Sequence, residues 1–233
     1  GHRRFSIIAI TLPIILAAVG AIRLAGAPVL ASPSNAEPVV RLVQPAIPQA
    51  EKWDRSNRQT HLDQLVDLSR QNGLHPKLVI WPETAFAGFA SRNAALLDKT
   101  VRDATSKKGT LITGIPRFGI DRTLLNSAIM LNHEGKTKGI YDKRHLVPFG
   151  EYIPFRKWLP FLYPIVGAVD FSAGQNNALM QLEGIGTIQL LICYEVIFSG
   201  EVLSLAMRPD LMVNITNDAW FGVSAGPWQH LVQ

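Results

Sequence analysis

The chain is organised around an apolar run that ends in a cysteine, Ile188-Gln189-Leu190-Leu191-Ile192-Cys193-Tyr194-Glu195. A continuous apolar run of this length is typical of a strand buried in the middle of a sheet. Catalytic side chains often stand at the carboxyl ends of such strands in α/β folds. Cys193 is the single cysteine of the 233 residues, so it has no partner for an internal disulfide. It is therefore either a buried apolar residue, as most free cysteines are, or a nucleophile.

Two further apolar runs also end at a reactive side chain. Leu78-Val79-Ile80-Trp81-Pro82 precedes Glu83, and Gly139-Ile140-Tyr141-Asp142 precedes Lys143. A thiol attacks only as its thiolate, so it needs a base or a neighbouring cation. Glu83 can be that base, and Lys143 can stabilise the thiolate and then a tetrahedral oxyanion. The three residues together predict acyl transfer through a thioester. Taken singly, Glu83 could be a helix-start carboxylate and Lys143 a solvated cation.

The rest of the sequence alternates between strand-like and helical patterns. Strands are predicted at 39–44, 78–81, 110–114, 187–192 and 211–216, a hairpin at 126–131 and 137–141, and helices at 51–72, 93–107 and 198–207. This alternation, with a hairpin mixed in, is typical of an α/β domain with a mixed sheet. The helices at 51–72 and 93–107 are expected to cover one face of that sheet.

The N-terminal segment is apolar and is bounded by positive charges. From Phe5 to Ile22 the 18 residues carry no charge, and His2-Arg3-Arg4 stand before them. This is long enough to span a bilayer, and the arginines would then stay cytoplasmic. The alternatives are a signal peptide cleaved near Ala25-Gly26-Ala27 and a hydrophobic core helix. We predict a transmembrane helix at 1–27, a proline-rich linker at 28–38 and a catalytic domain at 39–233.

The composition excludes several classes of protein. At 47% hydrophobic residues the chain can bury one large core, which excludes a disordered or disulfide-stapled protein. The net charge of +5 is mostly scattered, so no basic stripe of the kind that binds nucleic acid is present. Such a charge weakly favours an anionic surface such as a phospholipid headgroup layer.

Four motifs resemble the Glu-Lys-Cys segments of the nitrilase superfamily and, within it, the apolipoprotein N-acyltransferase family. They are Trp81-Pro82-Glu83-Thr84, Tyr141-Asp142-Lys143-Arg144-His145-Leu146-Val147-Pro148-Phe149-Gly150-Glu151-Tyr152-Ile153-Pro154, Ile192-Cys193-Tyr194-Glu195 and Asn214-Ile215-Thr216-Asn217-Asp218-Ala219-Trp220-Phe221-Gly222. Their order is that of the family, with 60 residues from Glu83 to Lys143 and 50 from Lys143 to Cys193.

The resemblance implies a four-layer αββα sandwich, preceded by the membrane helix, with the C-terminal part of the fold absent from this chain. It also implies a ping-pong reaction. An acyl chain would pass from a phospholipid to the cysteine, and then to the α-amino group of a lipoprotein's diacylglyceryl-cysteine. The implied setting is the bacterial inner membrane, with the catalytic domain on the periplasmic side. We expect a monomer that uses no metal and no cofactor.

The site residues carried over by motif form a catalytic triad and a supporting set. Cys193 is the expected nucleophile, Glu83 the general base and Lys143 the cation that stabilises the oxyanion. The supporting residues are Glu151, Asn126, Tyr194, Glu195 and, as a lipid-side aromatic residue, Trp53. Trp53 could instead pack on the core as a first-turn helix residue.

The stretch 143–174 is rich in proline and aromatic residues and has no regular period. Loops of this length in a compact domain are usually functional. We expect a lid that dips into the outer headgroup layer, the alternative being an arm folded on the core. Its apolar residues are Phe149, Tyr152, Ile153, Phe155, Trp158, Leu159, Phe161, Leu162 and Tyr163.

Two other functions use the same residues. A carbon-nitrogen hydrolase would transfer the acyl group of a small amide or nitrile to water, with the same triad. A membrane-tethered module could instead bind lipoproteins without turnover. The predicted span and the aromatic stretch argue against the first, and the presence of all three triad residues argues against the second.

Overall fold

The computed structural model describes residues 2–26, 40–71, 75–155, 170–176, 178–198, 200 and 207–232. In chain order the elements are α1 (His2–Ala25), β1 (Val40–Leu42), α2 (Gln49–Lys52), α3 (Arg58–Arg70), β2 (Leu78–Ile80), α4 (Ala94–Ala104), β3 (Thr110–Phe118), β4 (Leu124–Asn132), β5 (Thr137–Asp142), β6 (Leu179–Leu182), β7 (Gly186–Ile192), β8 (Leu211–Ile215) and α5 (Gly226–Val232). Within the described ranges, 3₁₀ turns lie at Ala90–Arg92, Cys193–Ile197 and Asp218–Phe221. The chain divides into two compact units, Gly1–Glu37 and Pro38–Gln233.

The first unit contains α1, which takes up most of the segment predicted to be a transmembrane helix. The prediction that this segment spans a membrane is not supported. No helix in the described part of the chain is both long enough and apolar enough to cross a bilayer. The predicted linker at 28–38 lies outside the described residues.

The second unit is built on two sheets. The larger has the strand order β1-β2-β3-β4-β5, in which β1, β2 and β3 are parallel and β4 and β5 continue as antiparallel hairpins. The smaller has the order β6-β7-β8, with β7 and β8 parallel and β6 antiparallel to β7. The predicted α/β fold with mixed pairing is therefore confirmed.

The described elements of the second unit form three layers: helices α3 and α4, the larger sheet and the smaller sheet. One hydrophobic core lies between the helices and the larger sheet, and a second lies between the two sheets. Because side chains alternate along a strand, Val79 and Trp81 face one core while Leu78 and Ile80 face the other. The first core also contains Leu62 and Leu65 of α3 together with Leu97 and Val101 of α4, so these helices cover one sheet face as predicted. The second core joins the two sheets through residues of β2, β3, β4, β7 and β8. The helix predicted at 198–207, which would begin a fourth layer, lies mostly outside the described residues.

Two elements differ from the sequence prediction. The single helix expected at 51–72 is two helices, α2 and α3, because Asp54 accepts hydrogen bonds from the backbone N–H of Ser56 (2.9 Å) and from its hydroxyl (2.7 Å). A short polar side chain that binds nearby backbone in this way competes with helix formation. Strand β6 is not predicted from the sequence, since its four residues, Leu-Met-Gln-Leu, are too few to show a clear alternation of apolar and polar side chains.

The aromatic stretch at 143–174 is described only at its two ends. Residues 156–169 lie outside the description, so the expected lid residues Trp158, Leu159, Phe161, Leu162 and Tyr163 are not placed. In the part that is described, Phe149 and Phe155 are exposed, whereas Ile153 is buried.

Candidate active site

The three predicted catalytic residues each follow a strand directly or within three residues. Glu83 stands in the turn after β2, Lys143 follows β5 and Cys193 follows β7. Strands β2 and β5 belong to the larger sheet and β7 to the smaller one, and the three strands share the core between the sheets. Packing the two sheets face to face therefore brings these strand ends to one place. Glu83 and Lys143 are buried, and Cys193 is partly buried.

Cys193 occupies a sharp turn between its strand and the following 3₁₀ turn. Its φ of 55° lies in the left-handed region, which non-glycine residues adopt rarely and mostly where the surrounding structure imposes it. The side-chain amide of Asn214 donates to the carbonyl oxygen of Cys193 at 3.1 Å. The backbone of the cysteine is thus held in a strained turn that presents its side chain at the end of the sheet.

Two carboxylates, one amide and one ammonium form a buried cluster. The Nδ2 atom of Asn126 donates one hydrogen bond to Glu83 Oε1 (2.7 Å) and another to Glu151 Oε1 (2.8 Å). Lys143 Nζ lies 2.8 Å from Glu151 Oε2 and 4.0 Å from Glu83 Oε1. The structure therefore brings four of the eight predicted site residues into direct contact.

Backbone groups complete the hydrogen bonding of the two carboxylates. The N–H of Asn217 donates to Glu83 Oε2 at 3.0 Å, and the N–H of Val147 donates to Glu151 Oε2 at 2.8 Å. Each carboxylate has a partner on both oxygens, as buried charged groups require.

The main chain of Lys143 is held from both sides. Its N–H donates to the carbonyl of Asn126 at 2.8 Å, and its carbonyl accepts from Gly174 at 2.7 Å. The preceding residue, Asp142, accepts hydrogen bonds from Arg117 and from the Ser127 hydroxyl (2.6 Å). These contacts limit where the lysine ammonium can go.

Burial and charge shift the pKa values of the triad. Burial raises the pKa of Glu83, and Lys143 and the Asn126 hydrogen bond offset only part of that rise. Burial alone would lower the pKa of Lys143, but the carboxylates of Glu83 and Glu151 outweigh it and the pKa is raised. Burial and the charge of Glu83 raise the pKa of Cys193 to about 11. The resting site therefore holds a neutral thiol beside a cation and a carboxylate that is more basic than usual.

Glu195 joins the turn that carries Cys193 to the loop that follows Lys143. Its carboxylate accepts hydrogen bonds from the Tyr141 hydroxyl (2.8 Å) and from the backbone N–H groups of Arg144 (2.7 Å), His145 (3.1 Å) and Ile192 (2.8 Å). Burial and this carboxylate raise the pKa of Tyr141, which therefore stays a hydrogen-bond donor. The Glu195 carboxylate therefore links Ile192, before the cysteine, to Arg144, after the lysine.

Tyr194 contributes through its main chain and its ring. Its backbone N–H is near enough to the sulfur of Cys193 to lower the pKa of the thiol slightly, and its ring packs edge-on against Phe198 with centroids 5.1 Å apart. A backbone N–H beside the reacting sulfur is a donor that can also serve a developing oxyanion.

Trp53 is half exposed, and among the described residues it has no place in the hydrogen-bonded cluster. Its neighbour Lys52 is buried instead, and Lys52 Nζ donates to the carbonyl oxygen of Glu83 at 3.1 Å. Burial lowers the pKa of Lys52 from its ordinary 10.5 to about 8, although the charge of Glu83 opposes this. Sequence reasoning missed Lys52, because a lysine in an amphipathic helix is ordinarily solvated.

A cavity of about 440 Å³ lies beside this cluster. Lys52 and Pro82 line one part of it, and Thr216, Asn217 and Asp218 line another. The last three residues belong to a motif that the sequence analysis noticed but to which it assigned no role. In the described residues, no group of three His, Cys, Asp or Glu side chains is arranged to hold a metal ion.

Comparison with known proteins finds a family model and relatives that cover most of the chain. Residues 39–233 match the family model described as carbon-nitrogen hydrolase. An apolipoprotein N-acyltransferase from Rhizobium rhizogenes is 38% identical over 213 residues, covering 85% of this chain and 40% of that protein. One from Bradyrhizobium diazoefficiens is 34% identical over 241 residues, covering 97% of this chain and 44% of that protein. The chain thus spans less than half the length of these curated relatives.

Solved structures support the fold. An amidase variant from Nesterenkonia sp. AN1 in complex with acrylamide superposes with a TM-score of 0.54 at 17% identity, covering 85% of this chain and 75% of that one. A nitrilase-superfamily member from Saccharomyces cerevisiae superposes with a TM-score of 0.52 at 18% identity, covering 79% of this chain and 67% of that one. With the two packed sheets, these neighbours confirm a nitrilase-like α/β fold.

Proposed function

The chain belongs to the carbon-nitrogen hydrolase family, and from this premise we propose that it carries the catalytic centre of a lipoprotein N-acyltransferase. The reaction would move a fatty acyl chain from a phospholipid, through a thioester on Cys193, to the N-terminal amine of a lipoprotein's diacylglyceryl-cysteine. The observation that carries the proposal is the buried cluster of Glu83, Asn126, Lys143 and Glu151 beside a lone thiol. The names of the curated relatives support the acceptor.

In the first half-reaction Glu83 takes the proton of the Cys193 thiol as the sulfur attacks the ester carbonyl carbon of the phospholipid. The raised pKa of Glu83 suits it to this task, because a base works best when its pKa approaches the working pH. The carbonyl oxygen becomes an oxyanion that Lys143 and the N–H of Tyr194 can stabilise. The intermediate collapses, the carbon–oxygen bond breaks, and protonated Glu83 returns its proton to the leaving lysophospholipid alkoxide.

In the second half-reaction the lipoprotein amine attacks the thioester carbonyl carbon. The nitrogen loses a proton to Glu83, and the carbon–sulfur bond breaks as the amide forms. The thiolate leaves beside Lys143 and recovers a proton from Glu83. The same base and the same cation therefore serve both halves, as a ping-pong reaction requires.

The supporting residues keep the charges of the triad in place. Glu151 pairs with Lys143 at 2.8 Å, so the lysine stays protonated throughout. Asn126 donates to both carboxylates and so fixes their positions relative to each other. Glu195 holds the loop that follows Lys143 against the turn that carries Cys193.

The location and partners follow from the substrates. Both the donor and the acceptor carry acyl chains, so we propose that the reaction takes place at the bacterial inner membrane, with the catalytic domain on the periplasmic side. We expect the enzyme to act as a monomer. Phe149 and Phe155, on the segment that carries Glu151, are exposed, and we propose them as contacts for acyl chains.

The test is a search by mass spectrometry for an acyl group on Cys193 after the protein is incubated with phosphatidylethanolamine vesicles. We expect a mass increase of one acyl chain on wild type and none on the nearly isosteric variant Cys193→Ser. Adding a diacylglyceryl-cysteine peptide should discharge the adduct and give the N-acylated peptide. Absence of any adduct, together with turnover of small amides, would instead assign the chain to the amidases of its family.

A further inference from the structure

The segment that follows β8 contacts both the proposed nucleophile and the proposed base. Strands β7 and β8 run parallel with Ile192 opposite Ile215, so Cys193 and Thr216 are the residues that leave these two strands at the same end of the sheet. The Thr216 hydroxyl is near enough to the sulfur of Cys193 to lower the pKa of the thiol, an effect smaller than those of burial, Glu83 and Lys143. The residue after it is Asn217, whose N–H donates to the carboxylate of Glu83 as described above.

The Thr216 hydroxyl has two further neighbours. It donates to Asp218 Oδ1 at 3.0 Å and lies 3.4 Å from His230 Nδ1. His230 Nδ1 is itself 2.8 Å from Asp218 Oδ1. The histidine side chain is only 8% exposed, and its buried Nε2 has no hydrogen-bond partner in the described part of the chain. The ring is therefore held at this place through its Nδ1 side.

We propose that Thr216 is a further catalytic residue, whose hydroxyl turns between Asp218 and the sulfur of Cys193 and stabilises the thiolate. The proposal rests on the proposed role of Cys193 as the nucleophile. His230 is a positioning residue, because it acts on the sulfur only through Asp218 and Thr216.

The hydroxyl has one proton, which it can give to one acceptor at a time. In the resting site the proton points to Asp218 Oδ1, and the thiol can donate its own proton to the threonine oxygen. When Glu83 removes the thiol proton, the hydroxyl rotates and donates to the anionic sulfur. Asp218 then keeps the hydrogen bond from His230. Once the thioester forms, the sulfur loses its charge and the hydroxyl returns to Asp218.

The charges around the sulfur explain why a neutral donor is useful there. Glu83 disfavours the thiolate, while Lys143 favours it but is shared with Glu151 at 2.8 Å. The Thr216 hydroxyl and the Tyr194 N–H are neutral groups that also favour the thiolate. A donor that turns toward the sulfur only when it is charged stabilises the reacting state more than the resting state.

The test compares Thr216→Val, which removes the hydroxyl at nearly constant volume, with Thr216→Ser, which keeps it. Two readouts are needed: the pH profile of Cys193 alkylation by iodoacetamide, and the rate of acyl-adduct formation from phosphatidylethanolamine vesicles. We expect Thr216→Val to move the alkylation midpoint upward by about one pH unit and to slow acylation about tenfold or more, as loss of a hydrogen bond to a charged group does. Thr216→Ser should stay within about threefold of wild type.

Thr105→Val is the matched control. Thr105 is also a buried threonine, and its hydroxyl lies 3.1 Å from a histidine nitrogen, His133 Nδ1. It differs from Thr216 in lying at the end of α4. We expect it to leave both readouts unchanged. Wild-type behaviour of Thr216→Val in both would overturn the inference while leaving the proposed function intact. Failure of wild type to form the adduct would count against the proposed function itself.

A double-mutant cycle tests the part assigned to His230. His230→Phe keeps a ring for the edge contact with Phe221 and removes the donor to Asp218. If the histidine acts through Thr216, His230→Phe should raise the alkylation midpoint when Thr216 is present. The same substitution should cause no further rise in the Thr216→Val background. Additive shifts would show that His230 affects the thiol by another route.

Discussion

The acidity of the thiol is set by a few neighbouring residues with opposite effects. Burial and Glu83 raise the pKa of Cys193 to about 11, and Lys143 lowers it. The cysteine is therefore protonated until substrate and base act together. This keeps the thiol from reacting at random and makes its activation depend on Glu83.

We predict that Glu83→Gln separates the acidity of the thiol from catalysis. Removing the carboxylate should lower the pKa of Cys193, because the negative charge that disfavours the thiolate is gone. The midpoint of alkylation by iodoacetamide should then fall below about 11. Acyl transfer should nevertheless fall by about 10² to 10⁴, the usual contribution of a general base.

Lys143→Met is the matched variant and should have the opposite effect on the thiol. Loss of the ammonium should raise the midpoint of alkylation and also slow acyl transfer. A midpoint that rises or stays constant in Glu83→Gln would contradict the charge arrangement described for the site.

At the scale of single elements, the position of Glu83 depends on strand β3. Gly114 of β3 lies against the turn that carries Glu83, and a Cβ atom on Gly114 would approach Glu83 Cα to 2.5 Å. Real Cβ atoms do not come so close to backbone, so the turn or the strand would have to move. The glycine is thus part of the way in which the sheet delivers the base.

We predict that Gly114→Ala displaces Glu83 and lowers the rate of acyl transfer at least tenfold, with a loss of stability of about 1–3 kcal/mol from overpacking. The measurements are adduct formation on Cys193 and urea unfolding. Gly139→Ala in β5 is the control, because its Cβ would meet the flexible side chain of Met180, which can turn away. Equal losses of activity in the two variants would mean that general crowding of the sheet, and not the place of Glu83, is responsible.

At the scale of the whole molecule, one buried lysine couples the stability of the fold to pH. The pKa of Lys52 is 10.5 in the unfolded chain and about 8 in the folded chain, so the folded chain loses this proton at a lower pH. Between these values the unfolded state binds more protons, so the free energy of unfolding rises with pH. Below about pH 8 both states are protonated and the cost of burying the charge is fully present.

We predict that Lys52→Met removes this rise, which can reach about 1.4 kcal/mol per pH unit in wild type. The measurement is the difference in free energy of urea unfolding between wild type and variant from pH 7 to pH 10.5. The exposed variant Lys108→Met should follow wild type throughout. A constant difference across this range would show that Lys52 does not titrate on its own in the folded protein.

The sequence by itself determined the class of fold, the strand ends that carry Glu83, Lys143 and Cys193, and the helices that cover one sheet face. These features follow from local patterns, since apolar runs and helical periodicity depend on residues near one another in the chain. The motifs also pointed to Asn126 and Glu151, which lie in the buried cluster.

Which side chains meet depends on how the sheets and helices pack. Lys52 lies 31 residues from Glu83, and Asn217 lies 134 residues from it, so no local pattern relates them. The same holds for Glu195, whose partners Arg144 and His145 lie in the segment that follows β5 of the facing sheet. Burial then changed the chemistry of these groups, because the pKa of a lysine or a thiol depends on how much water and which charges surround it. The chain order places a lone cysteine at the end of a strand, and the packing of two sheets surrounds it with the groups that can make it a nucleophile.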